Sequence, residues 1–146
     1  MRRVLLAVLL ATSHTAHGAG EPFSGRWEID LRSPTERKEN AECGGAYFEL
    51  TQTGDAIVGD HGMVTVGCGR QNEGGPESVK GLVVGNVAVL AVTSTRNGAV
   101  VLGRAFLKRG RLHWEYRELL RPGEPEGDSP LILGSAVLTP TAKLSR

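Results

Sequence analysis

Apolar and polar residues alternate along most of this chain, and the alternation is clearest in residues 23–32. Trp27, Ile29 and Leu31 fall on one side of an extended chain, and the polar residues between them fall on the other. Side chains of a β-strand point alternately to the two faces of a sheet, so this period of two predicts a strand with one buried and one wet face. The same period predicts a second strand in residues 44–52.

Turn residues divide the rest of the chain into short alternating segments. Two-residue turns join antiparallel strands and favour residues that tolerate positive φ angles, glycine above all. Such turns are predicted at Gly54-Asp55, Gly85-Asn86, Asn97-Gly98 and Arg109-Gly110. Eight strands result, at residues 23–32, 44–52, 56–66, 78–84, 87–94, 99–108, 111–120 and 131–139. Antiparallel strands without helices to cover them close on themselves or stack, so we predict an all-β fold, an eight-stranded antiparallel up-and-down barrel, with a β-sandwich as the structural alternative.

The beginning of the chain has the pattern of a secretory signal peptide. A positively charged start precedes an apolar run over residues 4–11, and Ala16 and Gly18 are the small residues that a signal peptidase reads. This run is too short to cross a membrane as a helix, which needs about 20 residues, and no transmembrane segment is expected elsewhere. We predict a signal peptide at residues 1–18, a single barrel domain at residues 19–146, and a secreted or periplasmic location.

The charge and the cysteines narrow the function classes further. The chain has 17 basic and 16 acidic residues, a balance that argues against a nucleic-acid partner. Its two cysteines, in a chain with an export signal, favour one disulfide. The Gly54-Asp55 turn places Cys43 opposite Val66 and Cys68 one diagonal step further. Diagonal neighbours are slightly too far apart for a bond, so we expect a bulge at the glycines that flank Cys68 to close the gap.

The Arg109-Gly110 turn predicts a contrast of side-chain size between two strands. It places Ala105 opposite Trp114 and Gly103 opposite Tyr116. Small residues opposite large ones suit either a packed interior or an aromatic wall around a cavity. The residues predicted to lie in the barrel interior, and to contact a small ligand if one is held there, are Trp27, Phe48, Leu90, Trp114 and Tyr116.

The middle strands, in residues 78–108, are apolar on both predicted faces. Leu90 is on the inward face, whereas Leu82, Val89 and Leu102 are on the outward face. A solvated sheet face normally carries polar residues, and a contiguous exposed apolar patch usually marks an interface. We therefore hypothesise a homodimer through residues 78–108, with cover by a loop or a terminus as the alternative.

No pattern in the chain points to catalysis. Beyond the predicted signal peptide the only histidines are His61 and His113, and both are interpreted as surface residues because no partner motif accompanies them. A pair of cysteines cannot close a tetrahedral metal site. We expect no catalytic residue, no metal site and no cofactor, and interpret the protein as a binding module rather than an enzyme.

Two family resemblances rest on the first half of the chain. The Gly-x-Trp pattern of Gly25-Arg26-Trp27 on a first strand resembles the calycin barrels, which include lipocalins and avidins, and implies a tryptophan that closes one barrel end. Ser24-Gly25-Arg26-Trp27, followed by Cys43 and Cys68, also resembles small periplasmic barrels that inhibit metalloproteases. The first resemblance implies an exported, non-enzymatic protein that binds a small apolar ligand. The second implies the alternative, a protein-binding barrel such as a periplasmic protease inhibitor.

Overall fold

Eight of the nine strands found in residues 20–141 form a closed antiparallel barrel, as the alternation predicts. The computed structural model describes residues 20–141, so the predicted signal peptide at residues 1–18 lies outside the described part of the chain. The strands are β1 Gly25–Asp30, β2 Cys43–Thr53, β3 Ala56–Val66, β4 Gln71–Asn72, β5 Val79–Val84, β6 Val87–Thr93, β7 Val100–Lys108, β8 Arg111–Arg121 and β9 Ala136–Pro140; a single short helix, α1 Pro34–Lys38, accompanies them in this range.

Sequential hairpins and one long-range pairing close the barrel. Neighbours follow the order β1, β2, β3, β5, β6, β7, β8 and β9, and β9 returns to pair with β1. Trp27 lies opposite Pro140, and Glu28 lies opposite Thr139. The short strand β4 lies between the predicted strands at 56–66 and 78–84, pairs with the last part of β3 and is the ninth strand. Because the sheet closes on itself, the alternative prediction of a β-sandwich is wrong.

The predicted turns give the correct registers in three of the four hairpins. Thr53 pairs with Ala56, Val84 with Val87, and Lys108 with Arg111, as two-residue turns require. The turn at Asn97-Gly98 is wrong, because Thr93 pairs with Val100 and a longer loop joins them. The register error amounts to two residues, so each side chain keeps its predicted face.

Aromatic residues close one end of the barrel, here called the Trp27 end. The Trp27 indole Nε1 donates a hydrogen bond to the Phe23 carbonyl at 3.0 Å, and the Phe23 amide donates to Gln52 Oε1 at 3.2 Å. Both rings are buried and belong to the core cluster that fills the barrel. β1 begins at Gly25, after Phe23, and is therefore shorter than the strand predicted at 23–32.

The opposite end is covered by a segment that the sequence predicts as strand. The predicted strand at 131–139 begins only at Ala136, and residues 130–135, here called the strap, lie across the barrel mouth instead. Leu131 and Leu133 are each 6% exposed. These residues alternate as they would in a strand. In place of backbone amides of a neighbouring strand, however, the side chains of Asn72, Ser94 and Trp114 donate hydrogen bonds to the strap carbonyls.

A capping motif explains the short helix between the first two predicted strands. Ser33 accepts a hydrogen bond from the Glu36 amide, and the Glu36 carboxylate accepts one from the Ser33 amide. This reciprocal capping box, followed by Pro34 at the first position, starts α1.

The predicted disulfide between Cys43 and Cys68 is present, with Cα atoms 5.3 Å apart. Cys43 lies opposite Val66, as the register predicts. The expected bulge is wrong, because left-handed backbone at both cysteines and at Gly44 and Gly67 turns Cys68 back toward Cys43. We call this end of the barrel, which also carries the strap, the disulfide end.

Replacing both cysteines by serine is expected to lower the free energy of unfolding by roughly 3 kcal/mol, because the bond restricts the unfolded chain between Cys43 and Cys68. Urea melts of the oxidised protein and of the double variant measure the difference. If both cysteines of the non-reduced protein can be alkylated, the assigned disulfide is contradicted. If the urea midpoints of the two proteins are equal, the expected contribution of the disulfide to stability is contradicted.

Candidate functional site

Four of the five residues predicted for a ligand in the barrel interior form its packed core. Trp27, Phe48, Leu90 and Trp114 are 6%, 1%, 0% and 1% exposed. The rings of Phe48 and Trp114 meet edge to face, with centroids 5.2 Å apart. These side chains, together with Leu133 of the strap, belong to one continuous apolar cluster. The interior is thus filled by the protein's own side chains.

Gly103 provides the space for the largest of these rings. It pairs with Tyr116, and a β-carbon placed on Gly103 would overlap the six-membered ring of Trp114. The predicted pairing of small residues with large ones is therefore present, and it serves packing. Only glycine leaves room for the indole at this position.

Tyr116 is the exception among the predicted interior residues, because it is 39% exposed. Its expected place in the interior is wrong, although its register opposite Gly103 is correct. Strand β9 pairs with β8 only from Leu112 to Trp114. Beyond that point the Tyr116 amide bonds to the hydroxyl of Ser135, and the chain turns away into the strap, which leaves the ring uncovered.

A cleft of about 980 Å³ lies at the disulfide end. Ile29, Ala46 and Met63 are neighbours in the register of β1, β2 and β3 and form an apolar floor. Ala46 belongs to the core, and the other two are half-buried and pack against it. The other lining residues are mostly polar or glycine: Arg26, Glu28, Asp30, Arg32, Cys43, Gly44, Gly45, Tyr47, Gly62, Val64, Gln71, Asn72, Glu73 and Thr139.

Most of the charged side chains that line this cleft are paired with charges of the opposite sign. Arg26 pairs with Glu28 and Glu49, and its guanidinium lies 3.9 Å from the centroid of the Tyr47 ring. Side-chain and backbone hydrogen bonds from Arg32 lower the pKa of Asp30 to about 2. The hydrogen bond from Arg26 lowers the pKa of Glu28. Glu28 and Asp30 stay ionised and paired at neutral pH, while Glu73 accepts a hydrogen bond from the uncharged Gln71.

A buried polar network lies between the cleft and the strap, and His61 is at its centre. The prediction of His61 as a surface residue is wrong, since it is 1% exposed. Its Nδ1 lies 2.9 Å from the Ser78 hydroxyl, and its Nε2 lies 3.2 Å from the Asn72 amide nitrogen. Burial lowers the pKa of His61 to about 4, partly offset by Asp60. Its imidazole is therefore neutral at pH 7.

The Ser78–His61 pair has the distance of a nucleophile and its base but lacks access. Ser78 is 6% exposed and directs its hydroxyl toward Asp60, 3.5 Å away. The Asn72 side chain is 2% exposed. A substrate carbonyl cannot reach a hydroxyl that is buried in this way. The arrangement therefore holds strands and loops together rather than presenting a reactive group.

The alternation of the sequence does not predict the buried positions of Asn72 and Ser78 or the cleft floor. Asn72 and Ser78 lie in or beside a glycine-rich segment that carries no alternation. For His61 a signal did exist, because the correct hairpin register places it opposite Phe48, on the inward face. His113, by contrast, stacks on Phe106 on the outer face, with ring centroids 5.0 Å apart.

In residues 20–141, no three side chains among His, Cys, Asp and Glu come close enough together to bind a metal ion. In the same residues, no helix has the length and apolarity needed to cross a membrane.

The closed eight-stranded antiparallel barrel is compatible with a calycin-like fold. No protein-family model matches the chain. No curated protein matches it significantly either.

Proposed function

We propose that this chain is an exported, non-enzymatic binding protein that takes a small, mainly apolar ligand in the cleft at the disulfide end. The observation that carries the proposal is the apolar floor of Ile29, Ala46 and Met63 in a cleft of about 980 Å³. Small-ligand sites have volumes of about 300–1,000 Å³ and combine apolar surface with polar groups that orient the ligand. The proposed site thus lies beside the filled interior rather than inside it.

Three further features support this proposal. The Gly25-Arg26-Trp27 pattern and the barrel resemble the lipocalins and avidins, which hold small ligands. The Cys43–Cys68 disulfide suits an oxidising compartment, secreted or periplasmic. The burial of the Ser78–His61 pair supports a binding role over an enzymatic one.

Native mass spectrometry of the protein purified from its own source tests the proposal. We expect a co-purified small molecule on the wild type and its loss from Met63→Arg, because the new charge lies on the apolar floor. Leu120→Arg is the matched control, since Leu120 is 51% exposed on β8 and outside the cleft. A wild-type mass equal to the polypeptide alone would refute the proposal, as would ligand retained by Met63→Arg.

The second candidate is a protein-binding barrel, and the exposed apolar outer wall favours it. Val58, Leu82, Val84 and Val89 are 43%, 58%, 67% and 40% exposed. Leu82 pairs with Val89, and the pair Val84–Val87 extends the patch toward the Trp27 end. A patch of this kind suits either the homodimer through residues 78–108 or a partner such as a protease. The metalloprotease-inhibitor resemblance of the first half supports the latter.

Leu82→Arg is expected to abolish self-association if the outer wall is a homodimer interface, because a buried unpaired charge is costly there. Sedimentation at micromolar concentration compares the wild type, Leu82→Arg and the control Leu120→Arg. The wild type and the control should be dimers, and Leu82→Arg a folded monomer. A wild type that is monomeric at every concentration excludes the homodimer, and a dimeric Leu82→Arg places the interface elsewhere.

A further inference from the structure

The strap is held at the barrel mouth mainly by side chains rather than by a sheet ladder. The Asn72 amide nitrogen donates to the carbonyls of Pro130 and Leu131, at 3.0 and 3.2 Å. The Ser94 hydroxyl donates to Pro130 at 2.6 Å, and the Trp114 indole donates to Leu133 at 2.9 Å. The strap covers apolar core with Leu131 and Leu133. Its position therefore depends on how the Asn72 amide is oriented.

The surroundings of Asn72 allow only one orientation of its amide. The strap carbonyls can only accept hydrogen bonds, so the amide nitrogen must face them. The amide oxygen accepts from the Thr95 hydroxyl at 2.7 Å and from the Gly74 amide at 3.4 Å. Turning the amide over would bring its oxygen against the strap carbonyls and leave the buried Gly74 amide unpaired, which is costly.

This orientation determines the tautomer of His61. The two protons of the Asn72 NH₂ group are shared among the strap carbonyls, Ser94 Oγ at 3.3 Å and His61 Nε2 at 3.2 Å. An NH₂ group cannot accept a hydrogen bond, so Nε2 carries no proton. The single ring proton is then on Nδ1 and is donated to the Ser78 hydroxyl, which points to Asp60. Each donor in this chain meets an acceptor only while the imidazole is neutral.

We propose that the strap is an acid-released cover of the barrel mouth, with His61 as its sensor. A second proton on the ring would place an N–H at Nε2 directly against the NH₂ group of Asn72. The amide must then turn or shift away from the ring, and this movement takes the Asn72 nitrogen away from the strap carbonyls. Release of the strap withdraws Leu131 and Leu133 from the mouth and uncovers Trp114.

The groups around His61 do not supply a counter-charge that would prevent this. The packed neighbours from β2, from β4 and from the residue before β5 are uncharged: Phe48, Asn72 and Ser78. Among residues 20–141, Asp60 on β3 itself favours the protonated ring, and its effect is smaller than that of burial. Glu73, next to Asn72, is exposed and bonds to Gln71.

Asp128, beside the strap, does not titrate over the same range. Arg96 is its main partner and lowers its pKa, so it stays charged at pH 4.5.

The direction and size of the pH effect follow from linkage. Burial lowers the pKa of His61 from 6.5 to about 4 while the strap is closed, so the open form binds the proton more tightly. The contribution of His61 to the free energy that favours the closed form is fully present above pH 6.5. This contribution is lost as the pH falls toward 4. With an ordinary histidine pKa in the open form, the ratio of open to closed rises roughly 70-fold between pH 7.5 and 4.5.

Fluorine NMR of protein labelled with 5-fluorotryptophan tests the proposal, because the chain has two tryptophans. Trp114 bonds to Leu133 of the strap, and Trp27 bonds to Phe23 at the Trp27 end. Trp114 reports the strap, and Trp27 is the internal control. Between pH 7.5 and 4.5, we expect the Trp114 resonance to gain a solvent-sensitive form while the Trp27 resonance keeps its shift. His61→Gln, which cannot gain a proton, should keep Trp114 covered at pH 4.5. His113→Gln is the matched control and should respond as the wild type does.

Three results would overturn the proposal. They are a wild-type Trp114 resonance that stays unchanged down to pH 4, simultaneous changes at Trp27 and Trp114, and a His61→Gln variant that opens at the wild-type pH. If His61→Gln does not fold, the ring of His61 is titrated in the wild type by nitrogen-15 NMR. Its midpoint must coincide with that of the Trp114 change, and separate midpoints refute the coupling.

Discussion

Trp114→Ala is expected to lower the free energy of unfolding by about 3–5 kcal/mol, as for other large side chains deleted from a core. The ring is 1% exposed, contacts Phe48, and donates its indole N–H to the Leu133 carbonyl. Its loss leaves a cavity and also frees the strap. Urea melts measure the change, and Leu120→Ala, on an exposed part of β8, should change it by less than about 0.5 kcal/mol.

A double-mutant cycle with Gly103 identifies the contact responsible. Gly103→Ala alone should cost about 1–3 kcal/mol, because its β-carbon overlaps the Trp114 ring. In the Trp114→Ala background that overlap is gone, so the added cost should nearly vanish. Additive losses would mean that Gly103 matters for another reason, such as its backbone conformation.

Trp27→Ala should have an effect of similar size, about 3–5 kcal/mol, at the other end of the barrel. The Trp27 ring is 6% exposed, and its N–H holds the Phe23 carbonyl, so its removal also loosens the residues before β1. Trp27→Phe keeps an apolar ring and loses only the N–H and part of the volume, so its loss should be smaller. A measured loss under about 1 kcal/mol for Trp27→Ala would show that this ring does not close the barrel.

Local rules account for the parts of the fold that the sequence predicts well. The turn at Arg109-Gly110 and the alternation beside it are enough to place Ala105 opposite Trp114 and Arg104 opposite Glu115, where a 2.7 Å ion pair forms. Both rules depend on residues that are close in the chain. The longer loop before Val100 follows no two-residue rule, and its register was therefore missed.

The strap and the polar network depend on residues far apart in sequence. Leu131 and Leu133 alternate like a strand, and only the distant side chains of Asn72 and Ser94 make their different position favourable. The interior position of His61 was predictable from its pairing with Phe48, but the absence of a catalytic motif led to a surface interpretation. The cleft could not be predicted, because its floor depends on the relative position of three strands, which alternation alone does not provide.

Pairing between β1 and β9 joins the two ends of the described chain, and this constrains when the barrel can close during biosynthesis. The hydrogen bond from Thr139 to the Glu28 carbonyl spans 111 residues. Contacts of such sequence separation form slowly, and a chain made or translocated from its N-terminus supplies β9 last. Until then one edge of β1 has no partner and can pair with other chains. A truncation before Ala136 would make that open edge permanent.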